Sequence, residues 1–271
     1  MVLTEPYPEQ VNIWPQAGRH ILAQFDDASV IVYQAYRASI GHYAAQHGRF
    51  GDDFSFDRMS WVKPNFLWMM YRSGWGTKVD QEVTLALRLR RDFFDSLLAL
   101  AVPSSWDRDI YPTREDWSRA VDQSEVRLQW DPDHHPSGAK LERRAIQLGL
   151  RGDALRAFGT RELLDVMDLT DFVAEQRKRF EAGGGSSPRT SGCITQPTAR
   201  FRSDCNFQQS LPNEPLQRSA LRIDSASLNT SARISSAVKR TRCPWPGNTH
   251  SNWWSASRRI DSACSGHECQ Q

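Results

Sequence analysis

Four basic side chains within a short aromatic stretch are the residues of this chain best suited to chemistry. They are Arg58, Lys63, Arg72 and Lys78, and they lie within residues 54–78 among three tryptophans and three methionines. A guanidinium group offers a planar fork that matches a phosphate or a carboxylate, and an ammonium group adds a compact positive charge. The stretch therefore predicts an anion-binding site.

Serine, glycine and tryptophan residues between these cations extend the candidate site. Ser73 follows Arg72 and precedes Gly74, where backbone N–H groups can approach an anion closely. Trp61 and Trp75 can stack on a base or another flat ring. A structural alternative stays open, in which the aromatic side chains form core and the cations pair with nearby aspartates. Those aspartates are Asp52, Asp53, Asp57 and Asp80.

A carboxylate just after the stretch is the candidate acid–base group. We predict Glu82 in this role, with the basic side chains stabilising negative charge that develops on a bound ligand. An ADP-ribosyltransferase-like site is one specific version, with Arg19, a serine such as Ser60 or Ser73, and Glu82. Such sites have one residue between the two functional side chains of their acidic motif, whereas Gln81 and Glu82 are adjacent.

The charge balance differs between the two parts of the chain. Residues 1–182 carry 23 Lys and Arg against 27 Asp and Glu, a balance of −4. The remaining 11 Lys and Arg against 5 Asp and Glu give +6, so the total is +2. The first part therefore lacks the positive field that favours nucleic acid, apart from its local basic patch.

Cysteine usage and hydropathy indicate where the protein resides. All five cysteines lie after residue 190, so the first part needs no disulfide, which fits a reducing compartment. The chain start has neither a basic segment nor an apolar run, and no window approaches 18 apolar residues. These features predict a soluble, cytoplasmic protein without membrane contact.

The hydrophobic pattern predicts an α+β fold. We expect a single compact domain over residues 1–182, with packed helices and a mixed or largely antiparallel sheet. The predicted strands are residues 19–26, 82–90, 126–130 and 141–150. The predicted helices are residues 28–47, 66–71, 92–102 and a helical end over 155–173, with a short helix in the loop 104–125. The last two strands should pair antiparallel because only a turn separates them.

Residues 183–271 have a different composition. They are rich in serine and arginine, open with GGGSSP, and show no sustained hydrophobic period. Such a segment buries too little apolar area to offset the entropy of ordering. We therefore predict a disordered C-terminal tail.

Three motifs in the first part resemble a known family. They read RHILAQFDDASVIVYQAY, RMSWVKPNFLWMMYRSGWGTK and LQWDPDH…RRAIQLGLRG, and over residues 15–180 they are similar to domain of unknown function 4291. The resemblance implies one compact domain and no known activity. It points to the family-motif positions Arg19, Tyr33, Gln34, Tyr36, Arg58, Lys63, Arg72, Ser73, Trp75 and Lys78.

Arg19, Gln34 and Tyr36 can join the basic cluster as ligand-binding residues. On the predicted helix 28–47, Tyr33 and Gln34 cannot both point where Tyr36 points, because neighbouring helical side chains diverge. In the structural alternative, Tyr36 lies in the core and Gln34 at the surface.

Three functions remain open from the sequence. The preferred one is an anion-binding, enzyme-like domain for a nucleotide, such as NAD as cofactor, or another small phosphorylated ligand. The alternatives are a single-stranded RNA-binding module, which would use basic residues interleaved with aromatic ones, and a non-catalytic interaction domain. No metal site is predicted, since the adjacent His134 and His135 lack a third ligand.

Overall fold

The strands in the described part of the chain form three sheets connected by helices. The computed structural model describes residues 2–182, 195–197 and 200–203, all within one compact unit of the chain. The α+β fold predicted from the sequence is confirmed.

The elements alternate along the chain. The strands are β1 (Thr4–Pro6), β2 (Gly18–Ala23), β3 (Ser29–Tyr36), β4 (Ser60–Val62), β5 (Val83–Arg90), β6 (Val102–Pro103), β7 (Val126–His134), β8 (Lys140–Leu150), β9 (Leu163–Asp168), β10 (Thr195–Pro197) and β11 (Arg200–Ser203). The helices are α1 (Tyr7–Ile13), α2 (Ala38–His47), α3 (Phe66–Ser73), α4 (Arg91–Leu100), α5 (Arg114–Gln123), α6 (Gly152–Gly159) and α7 (Thr170–Ala182).

The largest sheet mixes parallel and antiparallel pairs. Its order is β11-β2-β8-β7-β6, and β4 pairs with β8 beside this path. The pairs β2–β8 and β6–β7 are parallel, whereas β7–β8, β4–β8 and β11–β2 are antiparallel. The antiparallel pairing predicted for the last two strands is therefore confirmed. A second sheet, β3-β5-β9, is antiparallel throughout, and β1 pairs with β10.

The two larger sheets meet at one backbone junction. The N–H of Tyr33 in β3 donates to the carbonyl of Lys63 over 2.7 Å, and the N–H of Lys63 donates back over 3.2 Å. Lys63 directly follows β4, which belongs to the six-stranded sheet. This junction brings the middle of β3 beside the centre of the six-stranded sheet.

The helix predicted over residues 28–47 is wrong in its first half. Ser29–Tyr36 forms β3, which pairs with β5 over its whole length, and only Ala38–His47 is helical. Val30, Ile31 and Val32 are β-branched and favour a strand, where their restricted side chains pack well. Val32 and Tyr36 share one face of a strand as readily as one face of a helix, so their spacing was ambiguous.

A similar ambiguity affects the predicted helical end. Two helices, α6 and α7, occupy it, but Leu163–Asp168 between them is the strand β9. This strand pairs with β5 and completes the three-stranded sheet. The pairing partner is about eighty residues away, so local periodicity could not reveal it.

Helix α3 is the buried helix that the sequence predicts. All residues from Phe66 to Met70 are buried, and Gly74 ends the helix with a left-handed conformation at φ 58°. Asn65 caps its start, because its side-chain oxygen accepts from the N–H of Trp68 over 2.9 Å. The Asn65 amide group also donates to Asp133 over 3.2 Å.

A buried ion pair holds this helix start against the sheet. Asp133 and Arg143 are 0% and 1% exposed, and their Oδ2 and Nη2 atoms lie 2.6 Å apart. Arg143 also donates to the carbonyl of Pro15 over 2.7 Å. The pair thus ties the N-terminal segment, β7, β8 and α3 together, and no local sequence pattern indicates it.

Most of the predicted disordered tail lies outside the described residues. Two of its short segments are described, and they are the strands β10 and β11 paired with β1 and β2. Among the residues that the structure describes, no helix is both long and apolar enough to cross a membrane.

Candidate functional site

A cavity of about 460 Å³ lies at the junction of the two larger sheets. Strands β3, β4, β7 and β8, helix α3 and the segments beside β4 and β5 supply its walls. The lining residues are Gln34, Ala35, Tyr36, Met59, Ser60, Trp61, Lys63, Met69, Arg72, Gln81, Gln129 and Gln147. Four of the predicted ligand-binding residues, Gln34, Tyr36, Lys63 and Arg72, are thus brought together.

Strand geometry places Gln34 and Tyr36 on the same side. Residues two apart on a strand share a face, whereas the predicted helix would have separated them. Both side chains reach one hydroxyl: Gln34 Nε2 donates to Ser60 Oγ over 2.8 Å, and Tyr36 Oη lies 2.8 Å from the same atom. Gln34 is only 3% exposed, so the expectation of a surface position for it is wrong.

The amide of Gln34 has an oxygen left for a ligand. Its Nε2 atom also donates to the Trp61 carbonyl over 3.2 Å, and because a carbonyl can only accept, this contact fixes which way the amide faces. Within the described part of the chain, no group donates to Gln34 Oε1, although this atom is buried. A ligand with an N–H or O–H group would satisfy it.

The hydroxyl of Tyr36 keeps its proton at neutral pH and can donate it in a hydrogen bond. Burial raises its pKa well above the ordinary value, and hydrogen bonds with Ser60 and Gln34 offset only part of that rise. The group therefore stays protonated.

Lys63 is the buried cation of the cavity. It is 5% exposed, and its Nζ donates to the Trp61 carbonyl over 3.3 Å. Burial, and after it the nearby positive charge of Arg72, lower the pKa of Lys63 from 10.5 to about 8, while Asp131 opposes both effects. The positive charges of Lys63 and Arg72 therefore both lie in the wall of the cavity.

Neither of these cations is neutralised by contact with a carboxylate. Across residues 2–182, Lys63 and Arg72 take part in no ion pair. Two of the four aspartates of the structural alternative pair with other cations, Asp53 with Arg37 at 3.2 Å and Asp57 with Arg156 at 3.6 Å.

Asp131, the carboxylate that opposes the lowered pKa of Lys63, is itself held by two amides. Asp131 accepts from Gln129 Nε2 over 2.8 Å and from Gln147 Nε2 over 2.6 Å. The two glutamines face each other across β7 and β8. Sequence reasoning missed both, although a glutamine inside an apolar strand, such as Gln147 between Ile146 and Leu148, is a signal that could have found them.

A glycine lets the indole of Trp61 lie against β8. Trp61 pairs with Gly149, and a Cβ at Gly149 would meet the Met59 sulfur at 2.8 Å and two Trp61 ring atoms at 3.0 Å. Since Met59 and Trp61 both line the cavity, the missing side chain at Gly149 sets the position of this apolar wall.

Two predicted site residues, Ser73 and Lys78, instead make hydrogen bonds at the end of helix α3. Ser73 Oγ donates to the Met69 carbonyl over 3.0 Å and accepts from the Gly76 N–H over 3.2 Å. Lys78 Nζ donates to the Arg72 carbonyl over 2.6 Å, which is the role of a cation at a helix C-terminus. Neither Ser73 nor Lys78 is among the described residues that line the cavity.

Trp75 is also a packing residue. It has φ 55°, and its ring centroid lies 6.3 Å from that of Phe66 and 6.5 Å from that of Phe180. It therefore belongs to the core cluster beside α3, and Trp61 is the cavity indole.

The remaining predicted residues also lie away from the cavity. Arg19 and Arg58 are exposed and do not line it. Glu82 is exposed as well, and its Oε1 accepts from the Asp80 N–H over 3.0 Å in a local turn. Glu82 therefore does not line the cavity, and of the ADP-ribosyltransferase-like set Arg19, Ser60, Ser73 and Glu82 only Ser60 is among the described lining residues.

The histidine pair packs against aromatic rings. His134 stacks on aromatic rings, with its centroid 3.6 Å from that of Tyr71 and 5.2 Å from that of Trp68, and burial lowers its pKa. In the part of the chain that the structure describes, no group of three or more His, Cys, Asp or Glu could hold a metal ion. The five cysteines lie outside the described residues.

A known family matches the segment that contains the described cavity-lining residues. The model for a domain of unknown function (DUF4291) matches residues 20–194, which include every lining residue. The chain belongs to the DUF4291 family. The resemblance expected over residues 15–180 is thus confirmed, and the match extends slightly further toward the C-terminus. No curated protein shows significant similarity to the chain. The function of this DUF4291 domain must therefore be argued from its cavity.

Proposed function

We propose that this DUF4291 domain binds a small anionic ligand, of the nucleotide or other phosphorylated type, in the cavity at the sheet junction. One observation carries this proposal: Lys63 and Arg72 both line the cavity, and neither forms an ion pair among residues 2–182. A phosphate group between them would relieve their repulsion and form charge-assisted hydrogen bonds.

The other lining groups support a ligand that also carries polar groups and a flat ring. The Gln34 side-chain oxygen can accept a hydrogen bond from the ligand, and the Tyr36 hydroxyl can donate one to it. The Trp61 indole offers a surface on which a flat ring can stack. Pockets for small molecules commonly have volumes of about 300–1,000 Å³. The 460 Å³ of this cavity fits a ligand of nucleotide size.

The single-stranded RNA alternative receives less support. An RNA groove needs a run of cations along an open surface. Here Arg58 and Lys78 do not continue the line set by Lys63 and Arg72, because Lys78 is engaged with a helix end and Arg58 lies outside the cavity.

A thermal-shift screen of the full chain tests the proposal. The ligands are pyrophosphate, AMP, NAD, uncharged adenosine and a short single-stranded RNA. Ligands that bind the folded state raise the melting temperature by mass action, so we expect the anionic small molecules to raise it more than adenosine does. Arg72→Gln should remove the shift.

Arg58→Gln is the matched control, because it removes the same guanidinium from the same sequence stretch but outside the cavity. We expect it to keep the full shift. The proposal fails if no anion at millimolar concentration raises the melting temperature, or if Arg58→Gln loses as much as Arg72→Gln. A shift by RNA alone would favour the RNA-binding alternative instead.

A further inference from the structure

Lys63 has the surroundings of an amine that reacts with carbonyl groups. Among the described residues that line the cavity it is the only lysine, it is 5% exposed, and its Nζ donates a hydrogen bond to a backbone carbonyl. Lys78, Lys140 and Lys178, by contrast, are exposed. A lysine becomes nucleophilic when it is withdrawn from water and lies next to another cation, since both effects favour the neutral amine.

Both conditions are met by the contacts around Lys63. The side chain is enclosed, and Arg72 from α3 places a second positive charge near it. Asp131 from β7 opposes this effect but is held by Gln129 and Gln147 rather than by the ammonium. The resulting pKa of about 8 leaves a larger fraction of free amine at neutral pH than an exposed lysine has.

We propose that Lys63 forms a reversible imine with an anionic aldehyde or ketone bound in the cavity, while Arg72 holds the anionic group. This inference rests on the proposed function, because it places the ligand in the same cavity. It adds the chemical class of that ligand, a carbonyl compound carrying a phosphate or a carboxylate.

The reaction is a condensation that needs no further reactant. The nitrogen lone pair of Lys63 attacks the carbonyl carbon and forms the C–N bond, while the carbonyl oxygen takes up a proton and becomes a hydroxyl. The nitrogen loses its protons, the hydroxyl leaves as water after protonation, and a C=N bond remains. Water adds back to reverse these steps.

Reductive trapping on the full chain tests the inference. The probe is pyridoxal 5′-phosphate, an aldehyde with a phosphate group, and its matched control is pyridoxal, which lacks the phosphate. Sodium borohydride converts each imine into a stable amine, and peptide mass spectrometry then locates the label. The lysines that the structure shows as exposed serve as internal controls, so the readout needs no variant of Lys63.

We expect the phosphorylated aldehyde to label Lys63 in preference to Lys78, Lys140 and Lys178. Pyridoxal should label Lys63 about tenfold less, pyrophosphate should protect it, and Arg72→Gln should reduce its labelling, since the loss of one charge-assisted contact is worth about a factor of ten or more.

The possible failures are distinguishable. If pyrophosphate stabilises the protein but Lys63 is labelled no more than the exposed lysines, the imine is excluded and the anion-binding function stands. If both aldehydes label Lys63 equally and pyrophosphate gives no protection, the anion-binding function is wrong, and so is the claim that the carbonyl ligand is anionic.

Discussion

At the scale of single residues, we expect Lys63 to reduce the stability of the free protein. Burial and the charge of Arg72 both disfavour its ammonium form, and no carboxylate within residues 2–182 pairs with it. Removing a buried charge of this kind commonly stabilises a fold. A group that lowers stability yet lines a cavity is best explained by what it binds.

Replacing Lys63 by methionine should therefore stabilise the domain at neutral pH. The folded-state pKa of about 8 lies below the ordinary 10.5, so between these values the unfolded chain binds more protons than the folded one. The free energy of unfolding of the wild type therefore rises with pH across that window as Lys63 loses its proton, and Lys63→Met lacks this rise. We expect Lys63→Met to gain about 1–3 kcal/mol at pH 7, and the gain should shrink toward pH 10.5.

Urea unfolding of wild type and Lys63→Met between pH 7 and pH 10.5 measures the gap between their free energies of unfolding. A gap that stays constant over the whole range would show that the effect of the substitution is packing and not charge. Loss of stability at every pH would contradict the assignment of Lys63 as an uncompensated buried cation.

At the scale of elements, close contact between β4 and β8 shapes the cavity wall. Gly149→Ala would force Met59 and Trp61 to move, and such overpacking costs about 1–3 kcal/mol. We expect a lower melting temperature and also weaker anion binding, measured by calorimetric titration, because both displaced side chains line the cavity.

Gly48→Ala is a control for general destabilisation. Gly48 has φ 66° at the end of α2, a Cβ there would meet nothing within 4 Å, and the position does not line the cavity. It should lower the melting temperature through backbone strain and leave the affinity unchanged. Wild-type affinity in Gly149→Ala would contradict the role given to the β4–β8 contact.

Strands and helices with one clear period were predictable from the sequence. Strand β5 alternates cleanly, α3 begins after Pro64 and Asn65 and ends at Gly74, and β7 and β8 are joined by a turn. Strands β3 and β9 were not, because their apolar spacing fits two periods and only pairing with β5 resolves the choice.

The residues that line the cavity were predictable only in part. Residue types pointed to Lys63 and Arg72, but the same argument applied equally to Arg58 and Lys78. Two features of the fold distinguish Lys63 and Arg72 from Arg58 and Lys78. They are the Tyr33–Lys63 bridge and the helix end at Gly74, and both are known only from the structure. Gln129 and Gln147 line the cavity because the register of β7 and β8 places them opposite each other, and composition does not predict that register.

At the scale of the whole molecule, segments beyond residue 182 contribute to the sheets. Strand β11 pairs with β2 over four residues, and β10 pairs with β1 over three. A chain ending at Ala182 would leave the hydrogen-bonding groups of β2 unpaired along that edge. The domain limit of residue 182, which composition suggested, therefore omits part of the sheet.

We expect a chain truncated after Ala182 to melt at a lower temperature than one truncated after Ser203, by about 2–8 °C. Differential scanning calorimetry measures the difference. Anion affinity should be equal in the two, because every lining residue lies between Gln34 and Gln147. Identical melting temperatures would show that β10 and β11 add no stability.

The central claim is that Lys63 and Arg72 form an anion site distinct from the other cations of the stretch. Isothermal titration of wild type, Arg72→Gln and Arg58→Gln with the phosphorylated ligand that gives the largest thermal shift tests it most directly. We predict that Arg72→Gln weakens binding about 10- to 100-fold, the worth of a hydrogen bond to a charged group, and that Arg58→Gln matches wild type. Equal affinities for all three proteins, or a larger loss in Arg58→Gln, would contradict the claim.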